Sequence, residues 1–217
     1  MRSARYSDLM RPTGLDSDVF KFHLRKLVKQ RIIEKNDNGS YCLSAAGKEL
    51  ANRFDYEQGV AIRQPKLTTI TIIRRKNGDK QEHLFHRRAR HPYFGYWGVL
   101  GGAVAWGESF ETAAYRGTKL RTGLEIENPR LSGYYRQRDF DKATGVVLED
   151  KLFVVFVVDS YSGDLQTETK YGSNRWRVPS EVASEQKHFK ACLEMINRTD
   201  SALYSLADDS QYLSDEY

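Results

Sequence analysis

The stretch from Trp97 to Leu124 constrains this chain most. A strand-like run from Gly98 to Ala105 contains Gly101-Gly102, and a helix-like run follows and ends at Gly123. If the second run is helical, positions 117, 120 and 121 stand at i, i+3 and i+4 and share one face. Those positions hold Gly117, Leu120 and Arg121. A magnesium site needs hard oxygen ligands in near-octahedral geometry, usually one or two carboxylates together with substrate phosphates. This face offers none. A guanidinium there repels a cation and can itself grip a phosphate through its fork of donors.

Gly102, Glu108, Arg116, Gly123 and Leu124 fall on the pattern G-x5-E-x7-R-E-U-x-E-E-x-G-U, with U a bulky aliphatic. The segment therefore resembles the Nudix box, the signature of enzymes that cleave nucleoside diphosphates linked to another group. The three glutamates after the arginine are absent. Trp97-Gly-Val-Leu-Gly-Gly102 resembles the family's W-x-x-P-G-G, with Leu100 in place of Pro, and the likeness extends over roughly residues 66 to 200. The resemblance implies an α/β/α sandwich with a mixed sheet. It gives Glu108 a mainly structural role. It pairs Arg116 with a catalytic glutamate that is missing here, which leaves Arg116 without its expected partner. No catalytic residue and no metal ligand is assigned. If the domain does hydrolyse its ligand, Glu108 and Glu111 are the candidates, with Glu125 or Glu168 completing a relocated magnesium site.

The charge is unevenly spread. Residues 1–66 carry 13 Lys plus Arg against 8 Asp plus Glu, whereas residues 67–217 carry 21 of each. All of the net +5 thus sits in the first third, which points to a polyanionic partner for that third. The order there is a short helical segment (6–10), a turn with Pro12 and Gly14, and a basic helix from about Asp18 to Gln30 capped by Asp16 or Ser17. A hairpin through Asn38-Gly39 follows. A closing helix then runs from Ala45 to about Tyr56, capped by Ser44. This order resembles a winged helix-turn-helix DNA-binding domain of the ArsR-like branch, most closely over Phe20 to Glu34. Only five residues precede Tyr6, where such domains normally carry a first helix; either that helix is missing, or the start has been trimmed, or a partner chain fills the gap. The resemblance places Ser17, Asp18, Lys21, Phe22, His23, Lys26, Lys35 and Asn38 at DNA, with the lysines on the phosphate backbone.

The expected fold class is α+β, with a winged helix-turn-helix domain at 1–58, a linker at 59–66 and a Nudix-like domain at 67–217. The second domain is expected to end in a helical segment from Phe189 to Leu206. Within it, Arg87, Arg88, Arg90, Arg116 and Arg121 are the expected phosphate partners. Tyr93, Phe94 or Tyr135 would stack on a base, while Trp97 and Trp106 would pack. Glu168 reads as a surface strand residue. The longest apolar run, Leu152 to Val158, is of strand length, so no membrane span is expected. No signal sequence is visible. Cys42 and Cys192 lie far apart without partners at metal spacing, which speaks against a disulfide framework or zinc site and for a reducing cytoplasm.

The combination points to a DNA-binding transcription regulator, dimeric by the habit of its class. Its Nudix domain would bind a phosphorylated nucleotide or sugar effector without cleaving it and without a cofactor. The alternatives are a divergent Nudix hydrolase that needs magnesium, and a protein-interaction scaffold with neither activity.

Overall fold

The computed structural model describes residues 3–55, 57 and 59–213. The chain separates into two compact units, Met1–Arg63 and Gln64–Tyr217. No helix among the described residues is long and apolar enough to cross a membrane.

The first unit begins with α1 (Tyr6–Met10) and a 3-10 turn at Arg11–Thr13, followed by α2 (Ser17–Lys29). Asp16 caps α2 by accepting from the amides of Asp18 and Val19, which satisfies two of the orphan donors at a helix start. Phe20 and Leu24 face inward from α2, and Phe20 meets Tyr6 edge-on at 5.1 Å. The strands β1 (Ile33–Lys35) and β2 (Tyr41–Leu43) pair antiparallel, and the tight turn between them uses Gly39 at φ 78. Ser44 then caps α3 (Ala45–Asn52), as its spacing suggested. The helix stops earlier than expected. Phe54–Asp55 (β3) instead pairs with Val60–Ala61 (β4), so most of the presumed linker folds back onto this unit. The expected boundary at residue 58 lies outside the described residues.

The second unit is an α/β/α sandwich around a mixed sheet. Its strands are β5 (Lys66–Asn77), β6 (Lys80–Arg88), β7 (Trp97–Gly98), β8 (Leu100–Ala103), β9 (Glu125–Glu127), β10 (Arg130–Asp141), β11 (Val147–Val158), β12 (Ser160–Ser162), β13 (Glu168–Thr169), β14 (Gly172–Arg177) and β15 (Tyr204–Tyr212). The helices are α4 (Phe110–Thr122), α5 (Pro179–Ala183) and α6 (Lys190–Asn197). The main sheet runs β13-β14-β6-β5-β11-β10-β15, with β7 beside β6 and β8 beside β5. The pairs β5/β11 and β10/β15 are parallel, and the other pairs of this sheet are antiparallel.

Alternation along the central strands divides the core in two. On β11, Phe153, Val155 and Val157 pack with Ile70, Ile72 and Phe85 against Val182, Cys192, Met195 and Ile196 of α5 and α6. Val154, Phe156 and Val158 face the other way, toward Ile73, Leu84, Leu100 and Ala114 of α4. A strand buried on both faces reads as one unbroken apolar run, and Leu152 to Val158 does.

The structure corrects the sequence reading in three places here. The expected terminal helix stops at Asn197, and residues 204–212 form β15, an edge strand parallel to β10. The run 165–171 contains only the two-residue β13. The run 98–105 is divided into β7 and β8 at Val99.

Candidate functional site

A cavity of about 790 Å³ opens over the face of the sheet that also packs against α6. Its floor comes from β5, β11, β10 and β15, and its mouth from β6, the loop after β6, α4 and Tyr171.

The mouth is cationic. Arg88, Arg90 and Arg121 line it. The guanidiniums of Arg90 and Arg121 each stand 5.5 Å from the centroid of the Tyr171 ring. Burial, and then the charge of Arg90, hold Arg88 and Arg121 below the usual arginine pKa. Neither makes an ion pair among the described residues. Arg88 Nε donates to Pro92 O at 2.9 Å, and Arg121 Nη1 donates to Gly117 O at 3.1 Å. Like charges gathered without a counter-charge favour an anion between them.

The glycines of the box make room for Arg121. A Cβ at Gly102 would stand 3.6 Å from Arg121 Nη1, and one at Gly117 would stand 3.5 Å from it. The guanidinium therefore lies against two bare backbones. Behind it, the fully buried Asn174 donates to Arg121 O at 2.8 Å and stands 2.8 Å from His86 Nδ1. The other ring nitrogen of His86 is 3.1 Å from Tyr171 O. This chain of hydrogen bonds ties the end of α4 to β6 and to the Tyr171 turn.

Glu108 and Arg116 form a unit of their own. Arg116 donates Nε and Nη2 to the two carboxylate oxygens at 2.7 Å each and a further bond to Ala103 O at 2.8 Å. The Ala105 amide also donates to Glu108 at 2.8 Å. These bonds, Arg116 first, lower the Glu108 carboxyl to about 2. Arg116, expected to lack its partner, has Glu108 instead.

The expected ligand residues divide. Arg88, Arg90, Tyr93 and Arg121 line the cavity, as does Tyr135; Arg87, Phe94 and Arg116 do not. Arg87 donates to Gly95 O at 3.3 Å and lies on the opposite side of the strand, beside Trp97 and Arg175. Tyr93 is 2% exposed, and its hydroxyl donates to the buried Asp139 carboxylate, so it builds the wall more than it offers a free stacking face. Trp97 packs in the core as expected, but Trp106 is 84% exposed and does not. Of the remaining carboxylates, Glu111 lies exposed on the first turn of α4, Glu125 pairs with Lys119, and Glu168 sits on β13 with Arg175 and Ser173. Among the described residues no cluster of three or more His, Cys, Asp or Glu is arranged to hold a metal ion.

In the first unit Ser17, Asp18, Lys21, Phe22, His23, Lys26, Lys35 and Asn38 are all exposed. At roughly 100° per residue, the face of α2 opposite Phe20 and Leu24 centres on Phe22, with Asp18, Arg25, Lys26 and Lys29 around it. Lys21 and His23 lie on the flanks, and Ser17 turns toward the Phe20–Leu24 side. Ser17 also meets the Tyr6 hydroxyl, and Asn38 Oδ1 accepts from Ser40, so neither side chain is wholly free. Arg25 and Lys29, absent from the expected contacts, share the central face; their spacing from Phe22 held that information.

Strand order, the helix on each face and the glycine-rich entry to α4 together define a class, and a family model gives it a name. The model of the NUDIX domain matches residues 65–194, and the chain belongs to that family. The uncharacterized Nudix hydrolase YvcI of Bacillus subtilis (strain 168) is 29% identical over 93 residues, 42% of this chain and 56% of that protein. The match thus spans about half the length of that curated relative. The crystal structure of the MutT protein from Bacillus halodurans superposes with a TM-score of 0.55 at 20% identity, covering 70% of this chain and 93% of that one. The NUDIX domain of Shewanella oneidensis NrtR, solved in complex with ADP ribose, superposes at 0.53 with 18% identity, covering 70% and 94%. At these identities the two structures establish the fold alone.

Proposed function

We propose that this chain is a DNA-binding transcription regulator whose NUDIX domain binds a phosphorylated nucleotide or sugar without hydrolysing it. The observation that carries the ligand half is the trio Arg88, Arg90 and Arg121 at the cavity mouth. Arg121 occupies a position where the family's hydrolases keep a metal-binding glutamate, and Gly117 beneath it gives its guanidinium space. A phosphate at this mouth is met by direct charge-assisted hydrogen bonds instead of by a metal ion. The NUDIX domain of NrtR binds ADP ribose, which makes that compound the natural first probe. The DNA half rests on the basic excess in residues 1–66 and on a helix-turn-helix-hairpin-helix order that fits a winged helix. Lys21, Arg25, Lys26 and Lys29 on α2 are the phosphate contacts, and Phe22 at the centre of the exposed face is the base contact. A ligand acts on DNA affinity only through differential binding to two states of the protein.

The test is a thermal-shift titration with ADP-ribose in EDTA and again in magnesium, followed by binding of the protein to DNA upstream of its own coding sequence. The expected result is a magnesium-independent rise in melting temperature, no release of product, and DNA affinity that changes when the ligand is added. A shift seen only with magnesium, accompanied by nucleotide release, would refute the sensor. It would favour a hydrolase, the activity named for the B. subtilis relative.

A further inference from the structure

The far side of the cavity carries a feature of different chemistry. One row of side chains crosses four strands on the cavity face: Lys66 opposite Lys151, Lys151 opposite Gln137, and Gln137 opposite Asp208. At ~4.8 Å per strand the row is roughly 14 Å long. In its lysine half both ammonium groups share one carboxylate. Lys66 Nζ donates to the two oxygens of Glu149 at 2.8 and 2.9 Å, and Lys151 stands 3.4 Å from the same carboxylate.

Its other half keeps acceptors that face the cavity. Gln137 is 7% exposed, and its amide nitrogen donates to Asp139 at 2.7 and 2.8 Å. Asp139 is fully buried and also accepts from the Tyr93 hydroxyl. That carboxylate fixes the orientation of the Gln137 amide, because only the NH2 group can face it. Gln137 Oε1 is therefore directed away from Asp139, and among the described residues no donor reaches it. On the neighbouring strand Asp208 is exposed, and its Oδ2 accepts from Ser210 Oγ at 2.8 Å. Its carboxylate also meets the hydroxyl of Tyr135, which lines the same cavity; with about four lone-pair sites it retains acceptor capacity beyond these two partners. Directly opposite residues on paired strands are about 5 Å apart. Gln137 and Asp208 thus present two adjacent acceptors, one of them anionic.

We infer that this acceptor pair is a second recognition element of the same site. It takes the end of the ligand remote from the phosphates, a neutral group with two adjacent O–H or N–H donors. The inference rests on the reading of the arginine mouth as a phosphate site and deepens it. The ligand is polarised: its anionic part lies under Arg88, Arg90 and Arg121, and its donor-bearing part lies on Gln137 and Asp208. A second phosphate or a carboxylate on this pair is disfavoured, since the Asp208 carboxylate would repel it. Two chemistries supply such donors, the vicinal hydroxyls of a sugar and the exocyclic amine of a base.

The test measures affinities in EDTA by calorimetry for inorganic pyrophosphate, ribose 5-phosphate, ADP and ADP-ribose, on the full chain and on Asp208→Asn. Asp208 is exposed, so this variant keeps the fold; Gln137→Leu, which disturbs the Asp139 network, is a secondary check. The substitution replaces an anionic acceptor with an amide and should weaken ADP-ribose at least about tenfold. Pyrophosphate, which reaches only the arginines, should bind Asp208→Asn as well as wild type or better. Loss with ribose 5-phosphate assigns the donors to sugar hydroxyls. Loss with ADP and not with ribose 5-phosphate assigns them to the base amine. Unchanged ADP-ribose affinity overturns the acceptor pair while leaving the arginine mouth standing. An equal loss for pyrophosphate overturns it as well, since Asp208 would then act on the whole site. Failure of pyrophosphate to bind wild type strikes the arginine reading itself.

Discussion

Replacing Arg121 with Met should move two observables in opposite directions. Methionine keeps the length and the apolar stem and removes only the charge. In the unliganded protein Arg121 is half-buried, close enough to Arg88 and Arg90 to feel their charge, and without an ion pair among the described residues. Its offsetting contacts are one bond to Gly117 O and the face of Tyr171, a cation–π contact of about 0.5–1 kcal/mol. Removing an uncompensated, partly desolvated charge relieves its burial and the mutual repulsion of the cluster. A net gain on the order of 1 kcal/mol, or ~2–4 °C in a unit of this size, follows for the free protein. In the complex the same guanidinium donates charge-assisted bonds to phosphate at about 1.5–3 kcal/mol, which corresponds to roughly 10- to 150-fold in Kd. Scanning calorimetry of the free variant, with titration of pyrophosphate and ADP-ribose in EDTA, reads both quantities. A variant that melts lower than wild type and binds pyrophosphate unchanged would refute the argument, because Arg121 would then be a structural residue.

Four further outcomes follow from the geometry. Gly117→Glu sets a carboxylate one turn before Arg121, where an ion pair forms; pyrophosphate affinity should fall at least about tenfold and no magnesium-dependent turnover should appear, as a coupled phosphate-release assay will show. Glu108→Gln should lower the melting temperature at neutral pH. Because the Glu108 pKa is depressed, its contribution is complete above about 4.5 and is lost as pH falls toward about 2, so the two melting curves should converge over that window. His83 is 4% exposed, its Nδ1 has no partner among the described residues, and burial lowers its pKa to about 4; wild-type stability should fall between about pH 6.5 and 4, where the unfolded chain takes the proton and the folded one does not, and His83→Leu should flatten that slope in urea titrations. Lys26→Ala should weaken binding to all DNA sequences alike and reduce the slope of log K against log salt by about 1, read by fluorescence anisotropy.

Local chemistry was legible wherever a residue acts on its own neighbours in sequence. Asp16 and Ser44 cap the helices they precede, and Gly39 takes the left-handed turn of the hairpin, because capping and turn geometry involve only a few consecutive residues. The spacing of Gly102, Glu108, Arg116 and Gly123 carried the strand-to-helix geometry of the box for the same reason. It did not carry the Glu108–Arg116 pair, since the ion pair is closed by a loop whose path depends on Ala103 and Ala105.

The terminal strand lay beyond that reach. Tyr-Ser-Leu-Ala-Asp-Asp-Ser-Gln-Tyr is too polar to read as a strand, and nothing local separates it from the helix before it. It becomes one because β10 presents a free edge to which nine of its residues pair in parallel. Asp208 reaches the cavity only through that pairing, and Gln137 becomes a directed acceptor only because Asp139 and Tyr93 hold its amide. The sequence alone determined the NUDIX architecture, the basic first third and the guanidinium at position 121, since each depends on residue type and spacing along the chain. Which arginines share a mouth, and what faces them across the cavity, was decided by strand register, which sets residues 71 and 85 positions apart side by side.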